Sequence, residues 1–148
     1  MAKTAYIKSN KAYIYAKECI KSKEAPKYVK KQCKKFIEIA DGKNKKYCIN
    51  EEKVKQIENV LKLLIMPKGL KAGQSLYECS TNYQWLFYIN ILAVVYRDDT
   101  ARRRYETGIL EICRKNFKTY TVGTLFLLLF LLEPKFSKFY SVAPDGTL

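Results

Sequence analysis

The residues best equipped for chemistry in this chain form one run of six, Arg114-Lys115-Asn116-Phe117-Lys118-Thr119. Their types suit the handling of a polyphosphate. Such a site needs backbone N–H groups at the entry to a helix, a lysine that reaches the β and γ phosphates, and a Ser or Thr hydroxyl on Mg²⁺. Lys118 and Thr119 have the chemistry of the last two. Other catalytic classes are closed by composition, because the chain has no histidine. Ser-His-Asp and Cys-His catalysis, HExxH zinc sites and any imidazole base are thereby excluded. The five cysteines, Cys19, Cys33, Cys48, Cys79 and Cys113, stand at least 14 residues apart. Without a CxxC pair they predict free thiols in a reducing compartment rather than a metal cluster.

The elements that must position the run lie on either side of it. Gly108 to Cys113 is short and continuously apolar, which predicts a strand buried on both faces. Tyr120 to Leu132 predicts an apolar helix that ends at Glu133-Pro134, and Phe136 to Ala143 predicts a second strand, parallel to the first. Together they would form a βαβ unit with a right-handed crossover. Strand, loop, Lys-Thr, helix is the P-loop order. The pattern GxxxxGK[ST] would put its glycines at Ile112 and Phe117. On spacing alone, Lys-Thr at a helix start is far more often a capped helix with a solvated lysine. Thr124 to Leu132 is too short to span a bilayer, which takes about 20 apolar residues.

The first half of the chain is of another kind. Residues 1–71 hold 19 Lys, no Arg and 7 acids, a balance of +12 within a total of +14. Helical spacings run through Ala12 to Ile20, through Tyr28 to Ala40 after Pro26, and through Val54 to Ile65 after the cap residue Asn50. Asp41-Gly42 closes the second helix, and Pro67 and Gly69 stop the third. A basic helical region is thus expected at 1–66, a linker at 67–75 and a further unit at 76–148, opening on a buried helix within Leu76 to Val95. The Lys-rich faces suit either a phosphate backbone or plain solvation.

Taken in order, these residues resemble the N-terminal part of the large terminase subunit of tailed double-stranded DNA phages, the ATP-driven motor that packages the genome. The family's deviant Walker A reads Arg-Lys-Asn-Gly-Lys-Ser/Thr, and Arg114 to Thr119 departs from it only at Phe117. Upstream, Tyr83-Gln84-Trp85 is similar to the family's adenine motif, and Arg103-Arg104-Tyr105 to its Arg-Arg-aromatic segment. Pro67 to Gly73 is similar to its linker.

The resemblance implies an α+β to α/β architecture, a helical N-terminal region followed by a truncated P-loop ATPase core. It implies ATP and Mg²⁺ as cofactors, with Gln84 reading the adenine edge and Arg114, Lys115, Asn116, Phe117 and Lys118 along the phosphates. Arg114 would add charge at the γ phosphate, and Thr119 would ligate Mg²⁺. It implies viral double-stranded DNA, a small terminase subunit, a portal protein and the rest of the large subunit as partners, no membrane, and the host cytoplasm as the place of action. No strand ending in Asp-Glu and no nuclease carboxylate cluster follows before Leu148, so a fragment inactive alone is expected. The alternative is a small basic nucleic-acid-binding protein without ATPase activity.

Overall fold

A computed structural model describes residues 5–69, 71–113 and 116–133, together with Lys138, Tyr140 and Val142. Its elements are α1 (Ala5–Ser9), α2 (Lys11–Lys21), α3 (Lys27–Ala40), β1 (Tyr47–Ile49), α4 (Glu51–Leu63), α5 (Leu76–Cys79), α6 (Asn82–Ala93), β2 (Val94–Tyr96) and α7 (Lys118–Leu132). The class is α+β.

Helix ends follow local chemistry. The Asn10 side chain accepts from the Ala12 N–H at 2.8 Å, and Asn50 from the Lys53 N–H at 3.1 Å, each satisfying a donor that a helix start leaves open. Pro26 stands at the N-cap of α3 with its φ preset. At the other end Gly42 takes φ 74°, and its N–H reaches the Ile39 carbonyl at 3.0 Å. Glycine enters that left-handed conformation without a Cβ penalty.

Packing centres on α2, which lies against both α3 and α6. Ala12 and Ala16, four residues apart on one face and fully buried, let the neighbouring helices approach closely. Phe36 and Ile39 of α3, Val54, Ile57 and Leu61 of α4, Trp85, Tyr88 and Ile89 of α6, and Leu128 of α7 belong to the same cluster. Helices from before and after Pro67 therefore share one core. The segment between them is folded back on itself: Met66 and Gln74 are joined by an N–H to carbonyl bond of 2.9 Å, and Ile65 bridges Ser75.

The sheet has two strands, β1 and β2, antiparallel and registered Tyr47 to Tyr96, Cys48 to Val95 and Ile49 to Val94. Neither was expected, because three residues carry no readable period. Val94 and Val95 were read as the end of a helix and instead leave it for the strand. Two further corrections concern expected elements. Gly108 to Cys113 is not a strand; it is in no regular element, and Ile109 is 87% exposed. A continuous apolar run identifies a strand only where another strand pairs with it. Among the described residues none does, and the run lies along α6 instead, with Gly108 against Ile91. The parallel partner expected at Phe136 to Ala143 lies outside the described residues, apart from Lys138, Tyr140 and Val142, which are in no regular element. Finally, α4 ends at Leu63, so Ile65 leaves the expected stripe and is exposed.

One buried carboxylate ties the N-terminal helices together. Glu58 of α4 accepts from the Asn10 amide at 2.7 Å and from the Tyr6 hydroxyl. Asn10→Ala removes both the α2 cap and a donor to that carboxylate, so the unfolding free energy should fall by about 2–3 kcal/mol in denaturant titrations. An unchanged midpoint would show that water replaces the amide without loss.

Burial and the Glu58 bond push the Tyr6 hydroxyl up to about 12, and burial and the Asp41 bond do the same for Tyr13. A raised phenol contributes stability that is whole below its unfolded value near 10 and is lost as pH climbs through 12. Thermal melts should therefore show a loss between pH 10 and 12 that the Tyr6→Phe/Tyr13→Phe variant largely lacks.

Candidate functional site

Of the six residues singled out first, Asn116, Phe117, Lys118 and Thr119 are described, whereas Arg114 and Lys115 lie outside the described residues. Lys118 and Thr119 are the first two residues of α7, and both are exposed. No side chain caps that helix, and the Thr121 N–H returns to the Phe117 carbonyl at 2.8 Å.

Phe117, at the N-cap, is the one non-glycine residue with positive φ among the described residues, at φ 56° and ψ 27°. A left-handed conformation costs a side-chain-bearing residue about 1–2 kcal/mol. The chain thus adopts here the backbone geometry that glycine would adopt freely. The ring stays out of the way: it is 63% exposed and meets Tyr120 edge-on, with 6.4 Å between centroids.

Two side chains of α6 hold this helix entry. The Tyr83 hydroxyl donates to the Asn116 carbonyl at 2.9 Å. Next to it, Gln84 is buried, and its amide joins two helix starts. Its Oε1 accepts from the Thr81 N–H at 2.7 Å and from the Thr81 hydroxyl at 3.0 Å. Its Nε2 donates to the Thr121 hydroxyl at 2.7 Å, which in turn donates to the Phe117 carbonyl at 2.9 Å. The structure thus brings together Tyr83, Gln84, Asn116 and Phe117, residues 32 or more positions apart across the two segments. Sequence reading missed Thr121. Its signal was a hydroxyl in the first turns of an otherwise apolar helix.

Trp85 points the other way, into the core, edge-on to Tyr77 with 5.2 Å between centroids. The Lys11 ammonium lies over both rings and donates to the Tyr77 carbonyl at 2.9 Å; burial pulls its pKa down. The arginine cluster is likewise engaged within the fold. Arg104 stacks between Tyr47 and Tyr105, Arg102 covers Tyr96, and Arg103 faces Glu133, at the end of α7, at 3.6 Å.

A cavity of about 550 Å³ opens beside Tyr83, between Leu86, Phe87 and Ile91 of α6, Gln32 of α3, and Tyr105. That size is ordinary for a small-molecule site. Its polar lining includes Asn90, Thr107 and Glu111 besides Gln32, whose amide donates to the Tyr105 hydroxyl at 2.9 Å and to the Asn90 side-chain oxygen at 3.3 Å.

Among the described residues no group of three or more His, Cys, Asp or Glu is placed to hold a metal ion. The cysteines are unpaired, and burial pushes the Cys33 thiol up to about 12, away from nucleophilic use. No described helix is long and apolar enough to cross a membrane. No protein-family model, no curated protein and no solved structure matches the chain.

The Gln84–Thr121 bond should be measurable as a coupling. Thr121→Val leaves the Gln84 amide buried with a donor unmet, a loss of about 1–3 kcal/mol in stability. Gln84→Leu should lose a similar amount, and the double variant should lose less than the sum by at least about 1 kcal/mol. Strict additivity in a denaturation cycle would mean that the two side chains do not act as a unit.

Proposed function

We propose that the chain is the nucleotide-binding part of an ATP-driven DNA-packaging motor of the large-terminase kind, with the entry to α7 as its phosphate site. The observation that carries the reading is the junction of α6 with that entry. Tyr83 and Gln84, the residues similar to an adenine motif, are hydrogen-bonded to Asn116 and Thr121, on either side of Lys118-Thr119. Two segments with nucleotide-binding character, distant in sequence, meet at one helix start. The left-handed Phe117 adds support, since it keeps the loop geometry of the missing glycine.

The residues present fit the group. Lys118 carries an exposed ammonium at the first position of a helix no side chain caps, where the helix dipole also favours anions. Thr119, exposed one residue on, offers its hydroxyl to Mg²⁺; the remaining ligands would come from phosphates and water, as is usual for this ion. When bound, Mg²⁺ would neutralise charge on the polyphosphate. By the resemblance, Arg114 would add charge at the γ phosphate and Lys115 would belong to the same nucleotide-binding run. The same resemblance assigns Gln84 to the adenine edge; in the fold its amide is buried and bonded to Thr81 and Thr121. On this reading viral double-stranded DNA, a small terminase subunit, a portal protein and further parts of the large subunit are the partners, and the host cytoplasm is the setting.

Calorimetry with Mg-ATP tests the assignment. Lys118→Ala should abolish binding, and Lys115→Ala should weaken it only a few-fold, because the resemblance assigns the β and γ phosphates to Lys118 and not to Lys115. Equal losses would refute the division of roles, and an unmodified chain that takes up no nucleotide would refute the reading itself.

A further inference from the structure

We infer that the lysine stripe of α3 is a docking surface for the phosphate backbone of a nucleic-acid duplex. Lys27, Lys30, Lys31 and Lys34 line one groove together with Ala25. Their spacing of i, i+3, i+4 and i+7 places them on one face of the helix. The opposite face, Cys33, Phe36, Ile39 and Ala40, is buried in the core, so the stripe is held outward.

Among the described residues no ion pair neutralises it: none of the four there involves an α3 lysine. The first turn of α3 has no acid, although the dipole there favours one. Lysines three and four apart repel one another, so the stripe opposes the helix that carries it. A polyanion removes that repulsion. The four charges span about 10 Å of helix, one per about 3 Å, close to the one charge per about 3.4 Å along a single strand of a duplex.

A duplex fits better than an anionic bilayer. A helix that lies on a membrane buries an apolar face in the lipid. In α3 that face is already inside the protein, leaving only Tyr28, 79% exposed, and the edge of Val29 outside. The surface is separate from the α7 entry, so this inference stands or falls independently of nucleotide binding.

Fluorescence anisotropy with a labelled DNA duplex, repeated over a range of salt concentrations, tests it. Counterion release makes the slope of log affinity against log salt about −0.9 per phosphate contacted. The variant Lys30→Ala/Lys31→Ala/Lys34→Ala should flatten that slope by about 2.7. Lys45→Ala/Lys68→Ala/Lys71→Ala removes the same charge from exposed loops and should flatten it by less than about 1. The three lysine-to-arginine changes in α3 should keep the slope. Circular dichroism establishes that each variant is folded. Equal flattening by the two alanine variants would overturn the inference, since binding would then follow net charge alone. So would absence of duplex binding, or an α3 dependence seen with phosphatidylserine vesicles and not with DNA.

Discussion

The side-chain amide of Gln84 is the joint on which the candidate site depends. Buried in α6, it meets the start of its own helix through Thr81 and the start of α7 through Thr121. A buried amide left unbonded costs about 1–3 kcal/mol, so the two helix entries are held at one separation. The Thr121 hydroxyl carries the constraint one step further, to the carbonyl of the strained Phe117. The left-handed turn is thus held from the hydroxyl side by Thr121, while Tyr83 holds the preceding carbonyl. Strain in one residue persists when its surroundings fix it from several directions.

A second constraint holds the scaffold beneath. Glu58 is a buried carboxylate whose described partners are hydrogen-bond donors, Tyr6 and Asn10, and not a cation. Asn10 at once caps α2, so the start of the central helix is fixed by the same side chain that satisfies the charge on α4. The close approach permitted by Ala12 and Ala16 then lets α2 carry α3 on one side and α6 on the other. Through α6 that packing reaches the Tyr83 and Gln84 contacts. The lysine stripe is the outward consequence of the same arrangement: once Phe36 and Ile39 are committed to the core, the stripe has nowhere to go but solvent.

Much of this was legible in the sequence, and the boundary is physical. The helices begin and end where Pro26, Asp41-Gly42 and Asn50 predict, because caps and turns are local chemistry. Lys118-Thr119 stands at a helix start as expected, again a local matter. The short strands were not legible, since β1 and β2 exist only by pairing across 47 residues, and no window around either contains that information. The same reason misled in reverse at Gly108 to Cys113, whose apolar run invites a strand that the described residues give no partner. Gln84 and Tyr83 were picked out by type and order. What they touch depends on α7 packing across α6, and only three-dimensional structure reveals it. Nor was the placing of the arginine cluster legible: Arg102 and Arg104 lie on tyrosines of the two strands because planar cations lie flat on aromatic faces, while Arg103 faces Glu133.

Trp85 adds an optical consequence. It is the chain's only tryptophan, it is fully buried, and it follows Gln84 directly in α6. An indole screened from water emits at shorter wavelength than one in contact with it, so the tryptophan emission, excited where the 12 tyrosines do not absorb, reports on the interior of α6 alone. The ammonium of Lys11 over the ring makes that emission sensitive to the distance between α2 and α6. Any event that shifts α6 against α2 therefore has a built-in spectroscopic reporter one residue from the amide that joins the two helix starts.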